Sequence, residues 1–311
     1  MIVVDSHCDS LSPTPNGEPC ELIKQYNFSN KYDHLQFAAL FCGRANENEE
    51  ESYVRAKKYI KAFHATVAAE GERLVWVRSF EDIKKAVAEK KRAVMLSAEG
   101  GTGVMGKREI LREFYDAGVR VFGFCWVSNL LAKSNRIAEG EEDTGLTPIG
   151  REIADEGNRL GMIFDVSHMS DKSFYDIVEI SKKPVIATHS NFRAICPHSR
   201  NLTDDMASLI IKTGGMIGLN IYPPFISNDE KWQTVEGLFR HLDHGLSLGG
   251  ENNIGFGGDI DGIHGMYPAP LTEERSMHDV IIEMMLRHNY TEELVRKIAG
   301  ENYINFLRKY L

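Results

Sequence analysis

The chain's 311 residues, 42% hydrophobic and 26% charged, suffice for one large globular domain or two small ones. A formal net charge of −9 without any basic cluster or tail disfavours nucleic-acid binding, which leans on Lys and Arg to neutralise phosphates. No apolar stretch approaches the ~20 residues of a bilayer-spanning helix, and positions 1–4 are too short and lack the basic residues for a signal peptide. Cys8, Cys20, Cys42, Cys125 and Cys196 are scattered and form no CxxC. They read as reduced, mostly buried thiols of a cytoplasmic protein.

In chain order, strands are expected at 1–7, 36–42, 92–99, 119–126, 161–168, 184–190, 215–221 and 253–259. Helical patterns fall between them at 50–70, 79–90, 107–118, 147–161, 170–181, 203–215, 234–250, 276–289 and 291–311. Several carry their own end signals. Ser79 followed by Asp82 is a capping box, Gly118 suits a C-cap, and Thr147, Pro148 and Gly161 bracket a helix as N-cap, N1 and stop. Near-continuous apolar strands alternating with helices indicate a parallel sheet covered on both faces. Eight such units favour a closed (β/α)8 TIM-type barrel over an open doubly wound sheet. With no repeat or low-complexity linker, residues 1–311 read as a single barrel domain.

The polar residues fall where such a barrel builds a site. Strand one runs into His7 and Asp9, which alternation places on one face with Cys8 turned away. Other strands end in Glu99, His168, His189 and Asp259. In a barrel these ends converge on one mouth. Imidazoles and carboxylates together suit zinc or a similar divalent ion, and the inventory exceeds the three protein ligands of a single catalytic zinc. If Glu99 bridges, one ion takes His7 and Asp9 and the other takes His168 and His189. Two ions about 3.5–4 Å apart share a hydroxide that can attack a carbonyl. Asp259 is then the spare carboxylate, able to take the water's proton and return it to a leaving amine.

These residues lie in motifs that resemble the membrane (renal) dipeptidase family of binuclear zinc peptidases, in particular its soluble microbial members. They are DSHCD at 5–9, AEGG at 98–101, GLTPIGREIADEGNRLGMIFDVSHMS at 145–170, THSNFRAICPHSRNLTDD at 188–205 and IGFGGDIDG at 254–262. KIAGENYINFL at 297–307 is similar to that family's closing helix. The resemblance implies two Zn2+ ions held by His7, Asp9, Glu99, His168 and His189. Arg200 would hold the dipeptide's C-terminal carboxylate, with an ion pair to Asp204 or Asp205 as its alternative. Asp259 would be the acid/base, with Asp261 the nearby alternative, and Tyr222 would line the pocket. Where mammalian members carry a histidine that helps stabilise the oxyanion, this chain has Trp126, and Asn129 or the second zinc would cover the role. The implied substrates are small dipeptides, with tolerance of D-residues at the C-terminal position. Neither nucleic acid nor membrane is an expected partner, and a homodimer is the assembly the resemblance allows.

Two alternatives stand beside this reading: another amidohydrolase-type metal hydrolase (lactonase, phosphoesterase or deaminase), or a barrel that binds without catalysing. The first usually opens with HxH and bridges its metals through a modified lysine on strand four, whereas this chain has HxD and no lysine in 119–126. The second would be expected to have lost ligands. His241 and His244 read as helix-surface residues, and His34, His64, His198, His264, His278 and His288 have no strand-end position. The long 127–147 segment reads equally as a lid or as a solvated acidic loop.

Overall fold

The computed structural model describes residues 1–11, 18–22, 24, 28–29 and 31–311. Among them are the strands β1 (Ile2–Cys8), β2 (Asp33–Phe41), β3 (Leu74–Val77), β4 (Arg92–Glu99), β5 (Val119–Gly123), β6 (Ile163–Asp165), β7 (Ile186–Ala187), β8 (Met216–Leu219) and β9 (Ile254–Phe256). All except β3 close a parallel eight-stranded barrel in chain order, β9 returning to β1 with Phe256 opposite Asp5. The expected (β/α)8 barrel is therefore the fold. β3, which no sequence signal announces, pairs with Arg92–Met95 of β4. It occupies the flank that β5 takes over from Leu96 onward, because β2 fills the other edge along its length. Four apolar residues between two strong helical patterns carry too little periodicity to be read.

The helices are α1 (Glu49–Ala69), α2 (Phe80–Glu89), α3 (Arg108–Asp116), α4 (Pro148–Leu160), α5 (Asp171–Ile180), α6 (Asp204–Thr213), α7 (Pro223–Ile226), α8 (Val235–Ser247), α9 (Met277–Arg287), α10 (Glu292–Arg296) and α11 (Asn302–Tyr310). Their ends follow the expected signals. Asp82 accepts from the Ser79 backbone at 2.9 Å, Thr147 Oγ1 accepts from Gly150 N at 2.9 Å, and Gly161 takes a left-handed φ of +75°. The single helix expected at 291–311 is instead broken into α10 and α11 by a wider turn at Lys297–Glu301. There the backbone lies against β1, and a Cβ on Gly300 would sit 2.4 Å from Ile2 O. No helix among the described residues is long and apolar enough to cross a membrane.

The barrel interior is apolar at its lower end and polar above. Val4, Leu35, Phe37, Met95, Val121, Ile163, Ile186 and Met216 form one buried cluster, joined by Tyr303, Phe306 and Leu307 of α11. Above it the Tyr303 hydroxyl donates to Ser6 Oγ at 2.6 Å, and Ser6 Oγ donates to Thr188 O and Phe256 O. Val4 and Ser6 both face inward, so regular alternation would send His7 outward. β1 instead gains a residue on β2 between Asp5 and Cys8. This bulge returns His7 to the inside and leaves Cys8 buried in the outer core.

Removing the Tyr303 hydroxyl (Tyr303→Phe) is expected to lower unfolding stability by about 1 kcal/mol, and Tyr303→Ala by about 3–5 kcal/mol, as read from urea midpoints.

Candidate metal centre

Six groups converge above the polar layer, five of them buried and Asp259 partly so. His7 Nε2 lies 3.3 Å from Asp9 Oδ2, 3.6 Å from Glu99 Oε2 and 3.9 Å from Asp259 Oδ1. Glu99 turns its other oxygen the opposite way, with Oε1 2.7 Å from His168 Nε2 and 3.5 Å from His189 Nε2. The two histidine Nε2 atoms are 3.0 Å apart, and the His7 and His189 rings stack at 3.7 Å. The five residues expected to bind metal are thus brought together, and Glu99 faces both sides as a bridging ligand would.

Burial makes this cluster electrostatically uncomfortable. It pushes Glu99 up to about 7, with the Asp9 carboxylate adding to the effect, and it raises Asp259 as well. Burial works against a charged His7, but Glu99 and then Asp9 overcome it and hold this imidazole well above the ordinary histidine range. His168 and His189 go the other way: burial, followed by the charges of Arg200 and His7, keeps both well below it. Both shifts favour the neutral imidazole, the form a metal ligand requires.

Neighbouring groups fix each side chain. Asp5 faces out of the barrel, where its carboxylate accepts from His278 Nε2 at 2.7 Å, His7 N at 3.1 Å and Gly258 N at 2.9 Å. One buried carboxylate thereby ties the backbone beside two site residues, His7 and Asp259. Asp165 accepts from Thr188 Oγ1 at 2.6 Å, and Thr188 Oγ1 lies 2.7 Å from His189 Nδ1, orienting that ring. Asn220 Nδ2 donates to Asp259 Oδ2 at 2.9 Å. Asp259 itself sits at a left-handed φ of +55°, a conformation Asp tolerates better than most residues and one that concentrates at functional sites.

The remaining expected site residues separate. Trp126 and Tyr222 line a cavity of about 530 Å³ whose floor includes Asp9, Glu99, His168 and Asp259. Arg200 lies beneath that floor, 3% exposed, donating to Ser190 Oγ at 2.6 Å and His189 O at 2.7 Å. Its alternative ion pair is not formed, since Asp204 pairs with His244 at 2.8 Å. Asn129 does not reach the cavity: its amide is spent on Thr102, Phe124 O, Leu131 N and Ala132 N, shaping the loop after β5. Asp261, the alternative to Asp259, is held by Ser10 and Lys24 at 2.7 Å each. His241 is not a helix-surface residue. It is fully buried, with Nε2 2.8 Å from Ile226 O and Nδ1 accepting from Phe192 N. Sequence reasoning also missed His278, because a histidine on a distant helix shows its partner only when the fold places it against Asp5.

The donor set suits a divalent metal. His7 Nε2 is buried without a hydrogen-bond partner although carboxylates surround it. Ligand atoms of His7, Glu99 and His189, and of His7, Asp9 and Asp259, lie within 4.8 Å of one another. A Cβ at position 262 would fall 2.4 Å from both Asp9 Oδ2 and Asp259 Oδ1, so Gly262 keeps the cradle open. Nitrogen and oxygen donors in this mixture fit zinc and its first-row neighbours.

Comparison with known proteins gives concordant results. The model of the membrane dipeptidase family, peptidase family M19, matches residues 1–310. An uncharacterized protein in the pqqA 5′ region of Klebsiella pneumoniae is 32% identical over 249 residues, covering 78% of this chain and 91% of that protein. Dipeptidase tcpJ of Claviceps purpurea is 31% identical over 238 residues, 76% of this chain, which spans only 56% of the fungal protein's length. Among solved structures, a metallo peptidase from Rhodobacter sphaeroides, liganded with a phosphinate mimic of the dipeptide L-Ala-D-Ala, superposes with a TM-score of 0.87 at 23% identity. That match covers 100% of this chain and 99% of the other.

Because the raised Glu99 carboxyl holds its proton up to about pH 7, a metal must displace that proton. Divalent-ion affinity of the metal-free protein is therefore expected to fall as pH drops from about 8 to about 6, with proton release visible by calorimetry in buffers of different ionisation enthalpy. His278→Ala, which strips a partner from buried Asp5, is expected to cost about 1–3 kcal/mol of stability and to weaken metal binding about 10–100-fold, read by denaturation and chelator competition.

Proposed function

The chain belongs to the membrane dipeptidase family and is by that membership a metallo-dipeptidase, and from this premise we propose that it hydrolyses small dipeptides at a two-zinc centre. His7, Asp9 and Glu99 would hold one ion, and Glu99, His168 and His189 the other. The observation that carries this reading is the split disposition of Glu99, one oxygen toward His7 and the other toward His168 and His189. When bound, such ions supply Lewis acidity and a water acidic enough to ionise near neutral pH.

The chain's own residues supply the rest. Asp259 lies at the cavity with Oδ2 held by Asn220, and burial keeps its carboxyl above the usual range. Such a group can accept a proton and give it back to the leaving amine. Arg200, pinned by Ser190 and His189, is lowered by burial to about 10 and would keep a positive charge beside His168. Trp126 and Tyr222 wall the cavity, and the reading includes tolerance of a D-residue at the C-terminal position. The phosphinate mimic of L-Ala-D-Ala in the Rhodobacter protein supports that tolerance. The five cysteines are free, which supports a reducing, cytoplasmic setting.

Amine release from a panel of L,L- and L,D-dipeptides tests the reading. Zinc-loaded protein is expected to turn over, chelated protein to lose activity, and Asp259→Asn to lose about 10²–10⁴-fold in kcat. Absence of turnover on every dipeptide, with two zincs confirmed bound, would overturn it.

A further inference from the structure

Two guanidinium groups stand in the cavity wall, those of Arg44 and Arg136. Across a chain with 45 acidic and 36 basic residues, exposed cations commonly find carboxylates, as in Lys31–Glu283, Arg108–Glu152 and Arg275–Glu283. Among the described residues neither Arg44 nor Arg136 has an ion-pair partner. Arg136 is nonetheless held in place. Its guanidinium lies on the indole of Trp126, 3.6 Å from the ring centroid. Trp126 is itself clamped: Phe41 meets it edge-on at 5.2 Å, and a side chain at Gly43 would strike it, with Cβ atoms 2.5 Å apart. The indole also lies near the metal-site histidine His168, 5.9 Å between ring centroids. Trp126 is thus in contact with Arg136 and neighbours the candidate metal centre, and all three residues line the same cavity.

The arginine expected to meet a substrate carboxylate, Arg200, is 3% exposed, and its terminal nitrogens are engaged with protein oxygens. We propose that Arg136, laid flat on Trp126 at the mouth of the cavity, is the specificity-determining cation that holds a carboxylate of the substrate. A planar fork fixed by stacking presents paired N–H donors in the geometry a carboxylate accepts. Trp126 then has a physical role: the indole is the platform for the fork. The inference rests on the dipeptidase reading, and the carboxylate is either the C-terminal one or that of an acidic side chain.

Steady-state kinetics of the zinc-loaded wild type and Arg136→Ala on L-Ala-L-Ala, L-Ala-L-Glu and L-Ala-L-alaninamide separate these sources. The expected result is a KM raised about tenfold or more by Arg136→Ala, as loss of a charge-assisted contact implies, with kcat within about threefold. A rise for both acids that spares the amide identifies the C-terminal carboxylate, and a rise confined to L-Ala-L-Glu identifies the side chain. Unchanged KM on all three, or a fall in kcat alone, overturns the proposal. If the wild type hydrolyses none of the panel, the dipeptidase reading fails, and Arg136 is tested apart from it. In Trp76→Phe/Trp232→Phe protein, which keeps Trp126 as its single tryptophan, succinate should alter the fluorescence, and Arg136→Ala should abolish that response. No response before the Arg136 substitution overturns the proposal.

Discussion

Three carboxylates, those of Asp9, Glu99 and Asp259, crowd within 3.9 Å of a single buried imidazole nitrogen. Like charges in a low-dielectric interior repel strongly, and a site of this kind is stable only when a positive charge sits among them. In the protein alone the shifts of His7 and Glu99, both upward, favour protonation within the cluster. A divalent cation answers the same demand with twice the charge. The bulge in β1 turns His7 into the site, and the left-handed turn at Asp259 and the bare Cα of Gly262 let the Asp9 and Asp259 carboxylates stand close to it.

The rest of the barrel mouth counters this tension with directed hydrogen bonds. Asp5 and Asp165 lie just outside the cluster and accept from backbone and side-chain donors instead of facing each other. Their role is geometric: each holds the backbone or ring of a residue that reaches the centre. The pattern also accounts for the opposite behaviour of the histidines. His7, among carboxylates, is driven toward its charged form, while His168 and His189, next to the Arg200 guanidinium, are driven toward neutrality.

Much of this was legible in the sequence because the barrel converts linear order into position. A residue at the C-terminal end of a parallel strand must face the mouth, so His7, Asp9, Glu99, His168, His189 and Asp259 could be gathered without knowing any distance. What could not be read depends on contacts between elements. His278 meets Asp5 across 273 positions, and no local period reports such a pairing. His241 shares a helix pattern with His244, yet its ring is buried against the segment before α8, a tertiary choice that a surface-like polar residue does not advertise. Asn129 resembled a ligand-facing amide and is a loop organiser. Arg136 belongs to a segment whose composition suggested solvated acid, but Lys133, Asn135 and Ser170 tie its backbone to the site. β3, squeezed between α1 and α2, fell below the length at which alternation can be seen.

The hydrogen bond from Tyr303 to Ser6 has a consequence for chain closure. It joins positions 297 apart, and β1 meets its neighbour β9 only at the closing seam of the barrel. Ser6 immediately precedes His7, so the strand end carrying two of the candidate ligands is tied to the last helix and the last strand as well as to β2. Closing a loop over such a span costs chain entropy. A cation captured at the centre would act as a latch on that seam, adding its binding energy to the closure.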